Sequence, residues 1–359
     1  MVRLYVRRAK PHERQGIYIP DIGAFFSATI KRQIMPKLND AVIDRNALLK
    51  FLKDKKCFDY GQGGDGFQFR VRNSESAIGG ATNDWGVRNF QTTSPFTSLT
   101  SVYRQYSWSL AISLFQIQRN ENAGQEAKMF NMLKEQVNEV RQAATARIAK
   151  HAYSGNATTY TGDNSTPIDG LADIIATSNT YAGVDRSSSS NAYWRAQSET
   201  VAKFTADTNT LGVTDGIAAM EDLWLDCSLG KQSGDSIPDS VATEKEEPDG
   251  ILTTAAIYKA YKNSLRAQFR YADVATADAD KDVAFHGIPV IWDNVCTSGK
   301  MYMLNSRYLK FDVIGNELLS VMIERDEANP PVRTWLIGGQ YQFHSEAPRY
   351  LGILNVTAI

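Results

Sequence analysis

One long helical stretch constrains the fold of this chain more than any other part of its sequence. Between Asn120 and Ser154 apolar residues recur every three or four positions, and no proline interrupts them. That spacing places them on one stripe of an α-helix. The stripe consists of Phe130, Leu133, Val137, Val140, Ala144 and Ile148. At ~1.5 Å per residue the helix would be a rod of ~45–50 Å, longer than most globular helices.

The length of this rod favours a structural spine, with a core helix of an ordinary enzyme as the alternative. We expect its apolar stripe to be buried against the terminal strands. Asn122 followed by Gln125 resembles a capping box at the start of the helix. Gly155 follows the last turn, where glycine typically adopts a left-handed cap.

Two alternating segments precede the spine and predict a pair of strands. Residues Phe67–Arg72 and Tyr106–Leu114 both alternate between apolar and polar side chains. A polar, glycine-rich stretch of about residues 73–99 separates them. Loops of that length are usually functional, and an isolated two-stranded ribbon is marginal in water. We therefore predict an extended β-loop whose strands pair with each other and which packs on a surface outside its own domain.

The glycine run before the first of these strands offers an alternative function. Gly61, Gly63 and Gly66 match the spacing of the dinucleotide-binding fingerprint. That fingerprint requires a following helix whose N-terminus holds the phosphate, whereas residues 67–72 alternate as a strand. The run is better explained as a structural lead-in to that strand. A nucleotide-binding enzyme that uses the loop from Gly61 to Gly66 is the competing hypothesis.

The composition argues against a dedicated nucleic-acid binder. The formal net charge is −1, with 39 Lys and Arg against 40 Asp and Glu, whereas such proteins carry a basic excess. Residues 1–14 are locally basic, which leaves a DNA-binding accessory protein as a further alternative. The three cysteines are far apart and odd in number, so no disulfide framework is expected. No run of eighteen apolar residues is present to span a membrane.

The sequence shows no recognisable catalytic or metal-binding motif, so we expect no cofactor, no metal and no enzymatic activity. The four histidines are scattered along the chain at positions 12, 151, 286 and 344. His286 and His344 flank apolar runs, as structural histidines do. Asp278, Asp280 and Asp282 alternate like half of a calcium-binding loop. A solvated turn explains them better, because Val283 stands where that loop requires glycine.

The second half of the chain mixes helices and strands. Residues 215–227 and 253–270 predict amphipathic helices. Ile288–Trp292 and Met301–Leu304 are short apolar runs around a turn at residues 297–300, which predicts a strand–turn–strand unit. The final stretch alternates through Trp335, Ile337, Tyr341 and Phe343, and residues 351–356 predict a last strand. The fold class is mixed α+β.

In this order and spacing, three stretches resemble the major capsid proteins of tailed bacteriophages, which have the Hong Kong 97-like fold. The resemblance covers about residues 40–359. The first stretch is Tyr106–Leu114 with Asn122–Glu126. The second is Ser154–Asn156, Ile168–Leu171, Gly183–Arg186 and Trp194–Arg195. The third is Gly287–Asp293, Met301–Asn305 and Gly338–Tyr341.

The resemblance implies a chain in five parts. They are an N-terminal arm with short helices (1–55), an extended β-loop (56–118), the spine helix of a peripheral domain (119–164), an axial domain (165–325) and terminal strands that return to the peripheral domain (326–359). Residues 231–247 resemble an insertion in the axial domain. The extended loop is expected to contact neighbouring subunits through Arg72, Trp85, Arg88, Phe90, Phe96, Tyr103 and Arg104.

The function that this resemblance implies is structural. The chain is expected to assemble with itself into the hexamers and pentamers of an icosahedral phage head that encloses double-stranded DNA without sequence-specific contacts. The implied partners are a scaffolding protein, a portal at one vertex and decoration proteins. The segment before the resembling part is too short for a fused scaffold, so a separate one is expected unless a leader is removed. The implied location is the virion, after assembly in the host bacterial cytoplasm, with no membrane association.

Overall fold

The computed structural model of the chain describes residues 35–64, 66–72, 96–113, 115, 126–156, 167–203, 216–230, 246–268, 283–328 and 331–358. Its helices are α1 (Met35–Asp44), α2 (Ala47–Asp54), α3 (Glu126–Ser154), α4 (Leu171–Ile174), α5 (Gly216–Leu229) and α6 (Ala255–Gln268). Among these described helices, none combines the length and the apolar character needed to cross a bilayer.

The strands are named β1 to β15 in chain order. They are β1 (Phe58–Gln62), β2 (Gly66–Arg72), β3 (Phe96–Val102), β4 (Arg104–Ser113), β5 (Thr180–Tyr181), β6 (Val184–Asp185), β7 (Gln197–Lys203), β8 (Gly250–Thr253), β9 (Ala284–Phe285), β10 (Ile288–Trp292), β11 (Lys300–Leu304), β12 (Leu309–Ile314), β13 (Ser320–Ala328), β14 (Pro331–Ser345) and β15 (Gly352–Ala358). Helices and strands are both abundant, which confirms the predicted α+β class.

Strand β14 organises the first sheet, because it pairs antiparallel with three other strands. Residues 331–338 pair with β13, and residues 332–341 pair with β4 on the opposite edge. Residues 341–345 pair with β12, and β12 in turn pairs in parallel with β1. The predicted alternation is confirmed, since Trp335, Ile337, Tyr341 and Phe343 are all buried. The long strand therefore supplies a row of large side chains to the main hydrophobic core.

Helix α3 is the predicted spine, and its apolar stripe is buried where the side chains are described. Val137, Val140, Ala144 and Ile148 all lie in the core. Phe130 and Leu133 belong to the helix, but their side chains fall in the part that the structure does not describe, as do residues 120–125. The main contacts of α3 are with β4, α1, α2 and α4. Among the strands, β4 contributes most to the surface on which the stripe packs. Trp335, Ile337, Tyr341 and Phe343 of β14 belong to the same core, and the expected cover by the terminal strands stays a prediction.

Gly155 ends the spine for a different reason from the one predicted. Its backbone N–H donates to the carbonyl of His151 at 2.7 Å, but its φ is not in the left-handed region. A Cβ at this position would come within 2.1 Å of the carbonyl oxygen of Ile168. Glycine is required here because segment 167–170 crosses directly over the helix end, and the N–H of Gly170 donates to the carbonyl of Gly155 at 2.8 Å.

The second sheet has six strands in the order β7-β15-β11-β8-β10-β9, with α5 and α6 forming a second core against it. Strands β10 and β11 are where the sequence predicts them. They do not form a strand–turn–strand pair, because β8 lies between them and pairs with both. Alternation predicts that a strand exists but does not predict its neighbour, so a distant strand can take the central place.

The two sheets divide the chain differently from the domains expected at residues 165–325 and 326–359. Strands β12 and β13 belong to the first sheet although they fall in the expected axial domain. Strand β15 pairs with β7 and β11 in the second sheet, so only β14 of the terminal strands returns to the sheet beside the spine. The expected insertion at 231–247 is described only at its last two residues.

Candidate assembly surface

The predicted extended β-loop starts as a ribbon of two antiparallel strands, β2 and β3. The register runs from Gly66 opposite Val102 to Arg72 opposite Phe96. The return strand is therefore Phe96–Val102. The prediction that Tyr106–Leu114 is the return strand is wrong, because that segment, as β4, pairs with β14 along its whole length.

The inner face of the ribbon is packed within the subunit. Phe69 and Leu99 face each other across the ribbon, and both are buried. The ring of Phe67 lies 4.4 Å from His344 on β14, and the ring of Phe69 lies 5.9 Å from Trp194. The expectation that the two strands have only each other as partners is therefore wrong for residues 66–72 and 96–102.

The outer face of the ribbon is open to solvent and partly apolar. Its described side chains are Gln68, Arg70, Phe96, Ser98, Thr100 and Val102, all of them exposed. The exposed fractions of Phe96 and Val102 are 55% and 47%. Exposed large apolar side chains on one face of a packed element are a feature of surfaces that contact another molecule. The ribbon therefore presents one face to its own core and the other outward.

The predicted contact residues differ in their surroundings. Phe96 lies on the outer face at the far end of the described ribbon, opposite Arg72, whose side chain is not described. Tyr103 is only 9% exposed and lies 5.4 Å from the ring of Phe67, so its contacts are within the subunit. Arg104 is half-buried at the start of β4. Trp85, Arg88 and Phe90 lie outside the described residues.

A buried polar joint ties the base of the ribbon to the rest of the subunit. The amide Nε2 of Gln342 on β14 donates to Oγ of Ser101 on β3 at 3.1 Å and to Oδ2 of Asp169 at 2.6 Å. All three residues are buried. Buried polar groups must be paired to avoid a desolvation penalty. The joint therefore fixes the ribbon, β14 and the segment that leaves the spine relative to one another.

The side chain of Asp173, next to this joint, has a raised pKa. Asp173 is buried and accepts hydrogen bonds from the side-chain amides of Asn156, at 2.9 Å, and Asn179. Burial raises the pKa of Asp173 to about 7, and the neighbouring charge of Asp169 adds to this, while Arg186 and Asn179 act in the opposite direction. The proton affinity of this carboxylate is therefore set by the packing of the joint.

Arg186 holds the polypeptide that wraps around the joint. Its guanidinium is fully buried and donates to the carbonyl oxygens of residues 173, 174 and 176 at 3.2, 2.8 and 2.8 Å. It lies 4.5 Å from the ring of Tyr181, which stacks on Trp194. Burial lowers the pKa of Arg186 to about 10, so it stays charged at neutral pH. The segments 183–186 and 194–195 noted in the sequence thus form one cluster.

A third link connects β4 with the end of the spine. The hydroxyl of Tyr106 lies 2.7 Å from Nδ1 of His151 and accepts from the N–H of Ile168 at 3.1 Å. Its ring stacks on Tyr341 at 4.8 Å. The return side of the extended loop is therefore fastened at two points, through Ser101 on β3 and through Tyr106 on β4.

The sequence did not reveal this joint. Gln342 stands between two buried aromatic residues in an alternating strand, where a polar residue is expected to face solvent. It is buried because the ribbon and segment 167–170 cover that side of β14. The only signal was the stretch Ile168–Leu171, noted for its resemblance.

The described histidines do not provide catalytic geometry. Nδ1 of His344 lies 3.2 Å from Oδ2 of Asp312, without the alignment of a hydrogen bond. Burial lowers the pKa of His344 to about 3, and burial raises that of Asp312 to about 7. His344 is covered by Phe67 and Phe69, so it is the structural histidine that the sequence predicts. His286, by contrast, is exposed and lies 2.8 Å from Glu221.

The glycine run lacks the structural context of a nucleotide loop. It joins β1 to β2, so a strand follows it where the fingerprint requires a helix. Gly61 and Gly64 adopt positive φ, at 85° and 98°, whereas Gly63 does not. The run is therefore a turn between two strands. The alternating aspartates at 278, 280 and 282 lie outside the described residues, and no cluster of potential metal ligands occurs among those described.

The fold of the chain is similar to that of solved capsid structures. The chain matches a structure of the cyanophage A-1(L) capsid asymmetric unit with a TM-score of 0.57 and 16% identity, over 83% of this chain and 89% of that one. The chain has the Hong Kong 97-like capsid fold. It also matches the capsids of the native and empty GTA particles, with TM-scores of 0.54 and 0.53.

The two GTA matches cover most of this chain and most of the matched chain, at low sequence identity. The identities are 10% and 9%, and the matches cover 86% and 85% of this chain and 90% and 96% of the others. No protein-family model matches the chain, and neither does any curated protein. The likeness is therefore one of fold, which the sequence alone predicts from the order of its elements.

Proposed function

We propose that this chain is a structural subunit that assembles with copies of itself into the shell of an icosahedral phage head. The observation that carries the proposal is the capsid fold, matched over 83% of the chain in the cyanophage structure. In this proposal the subunits form hexamers and pentamers around packaged double-stranded DNA. A separate scaffolding protein, a portal and decoration proteins belong to the same proposal, as does the virion as its location after assembly in the host cytoplasm.

The outer face of the ribbon is the contact surface that we assign to the neighbouring subunit. It exposes Phe96 and Val102 at the two ends of β3, with the cationic Arg70 on β2 between these ends, on strands whose inner face is fixed to the core. A rigid ribbon loses little conformational entropy when it binds. An interface of ~800 Å² per partner is ordinary, and a closed lattice repeats it many times. Trp85, Arg88 and Phe90, in the loop beyond the described ribbon, are proposed to extend this surface.

A structural role also accounts for the buried thiols. Burial raises the pKa of Cys57 to about 11 and that of Cys296 to about 12, and charges on Asp249 and Asp293 respectively act in the same direction. Nucleophilic cysteines have a lowered pKa and some exposure. We therefore propose that the chain is not an enzyme. Nothing in the described residues favours the nucleotide-binding or DNA-binding alternatives.

Electron microscopy of the purified chain under assembly conditions tests the proposal. We expect hollow particles of uniform diameter from the wild type. Phe96→Asp should leave the subunit folded, because this side chain is exposed, but should abolish closed particles by placing a charge in the contact. The control is Gln105→Asp, at an exposed position on β4, which should assemble normally.

Two results would count against the proposal. A wild-type chain that stays monomeric under all assembly conditions would remove the shell function itself. Normal particles from Phe96→Asp would keep the shell function but remove the ribbon as the main contact surface.

A further inference from the structure

The free edge of β13 is the surface that the proposed function leaves unexplained. This nine-residue strand is the last in the first sheet and pairs with β14 along its whole length. Among the described strands, none pairs with its other edge. Such an edge is a template for a further strand, and proteins usually cover it or place charges along it.

This edge combines apolar and acidic side chains. Met322 is 37% exposed and Ile323 is 42% exposed, and a bulge between Val321 and Ile323 leaves Met322 outside the pairing register. The second half of the strand carries Glu324, Asp326 and Glu327 against a single arginine. Like charges placed opposite each other destabilise a strand pair, so a second copy of β13 is a poor partner. The edge instead fits a strand that is apolar on one face and basic on the other.

Residues 2–8 of this chain have that pattern. Val2, Leu4 and Val6 alternate with Arg3, Tyr5 and Arg7, followed by Arg8. Alternation over the six residues from Val2 to Arg7 predicts a half-buried strand, and three arginines without an acidic residue give the segment the complementary charge. The segment lies outside the described residues, and nothing in the proposed shell function uses it. We propose that residues 2–8 pair with the free edge of β13 in the same chain.

The chain enters α1 next to the start of β13, which makes this pairing reachable. The side-chain amide of Asn39 on α1 donates to the carbonyl of Leu319 at 3.1 Å, and the N–H of Leu319 donates back to Oδ1 of Asn39 at 2.8 Å. Residues 9–34 can span ~85 Å when extended. Because β13 is only ~30 Å long, the segment can lie along it in either direction.

Strand β4 offers another open edge of this sheet, and it fits the basic segment less well. Strand β4 pairs only with β14 among the described strands. Between Arg104 and Ser113 it has no acidic residue, and its exposed side chains include Ser107 and Ser109. An arginine-rich strand would meet no charge partner there. The charge pattern therefore selects β13 over β4.

Hydrogen–deuterium exchange of the full chain tests this pairing. In the wild type, the backbone amides of β13 that point away from β14 should be protected. In the double variant Leu4→Asp with Val6→Asp, they should exchange at least about tenfold faster, because the covering strand is lost. The amides of β4 should not change. The matched control is Arg14→Glu, outside the alternating segment, which should leave the exchange of β13 unchanged.

Equal exchange in β13 with and without the double substitution would overturn the proposal. A dilution series checks that the pairing is within one chain, since protection lost on dilution would assign the edge to a second copy and refute the proposal. Faster exchange of β13 in Arg70→Glu would assign the edge to the ribbon of a second copy and refute it as well. The pairing is a property of the single chain, so it holds or fails independently of shell assembly.

Discussion

Replacing Gln342 by alanine tests whether the buried joint fastens the ribbon to the subunit. The side chain donates to the Ser101 hydroxyl and to the Asp169 carboxylate, at 3.1 and 2.6 Å. A neutral hydrogen bond contributes about 1 kcal/mol and one to a charged group about 1.5–3 kcal/mol. The removed side chain also leaves a void and takes one hydrogen-bond donor from the buried carboxylate of Asp169. We therefore expect the free energy of unfolding to fall by about 3–5 kcal/mol.

Urea unfolding measures this change, with a matched control two residues away. Gln340 lies on the same strand but is half-exposed. Gln340→Ala should therefore change the free energy of unfolding by less than about 1 kcal/mol. If the free energies of unfolding of the two variants differ by less than about 1 kcal/mol, the hydrogen bonds of Gln342 do not stabilise the fold.

A second substitution at the same site separates polarity from volume. Gln342→Glu keeps the shape but places a carboxylate where an amide donated to Asp169. Burial and the like charge raise the pKa of the new group in the folded state, so its ionisation destabilises the fold. The loss in free energy of unfolding relative to the wild type should be largest at neutral pH. It should become smaller as the pH falls toward the unfolded pKa of glutamate, about 4.3. A pH-independent effect would mean that lost packing alone is responsible.

Two further predictions concern the spine and the carboxylate beside the joint. Val137→Asp should prevent soluble folding, because an unpaired buried charge costs several kcal/mol, whereas Glu139→Gln on the exposed face should be silent by circular dichroism and soluble yield. Ionisation of Asp173 should contribute a fall of roughly 2 kcal/mol in the free energy of unfolding between pH 5 and pH 8, because the folded pKa of Asp173, about 7, is above its unfolded value and ionisation favours the unfolded chain. Asp173→Asn should reduce this slope in urea titrations at several pH values, and an unchanged slope would contradict the assignment.

The sequence correctly predicted the features in which apolar residues repeat at a regular spacing. The stripe from Val137 to Ile148 and the alternation of β14 follow from helical and strand geometry, so they appear where expected. The capsid fold was indicated by the resemblance of three stretches, taken in order, to a known family. Neither spacing shows which other strand or helix an element pairs with. For this reason the return strand of the ribbon was predicted at Tyr106–Leu114, whereas it is Phe96–Val102.

The parts that the sequence did not predict depend on contacts between distant segments. Gln342 is buried because the ribbon covers it, and Gly155 is required because segment 167–170 crosses over it. Neither residue differs locally from an exposed glutamine or a helix-capping glycine. Such positions become visible only when the packing of three separate segments is known.

The position of β14 and β15 in two different sheets has a consequence for the order of folding. Strand β14 is internal to the first sheet, and β15 lies between β7 and β11 in the second. Neither sheet can close before residues 331–358 have been synthesised, so a nascent chain on the ribosome holds two incomplete cores. Because these pairings join distant parts of the chain, folding should be slow. A nascent chain that has not yet reached residues 331–358 therefore lacks a finished surface to offer to other copies, which places association after the synthesis of these strands.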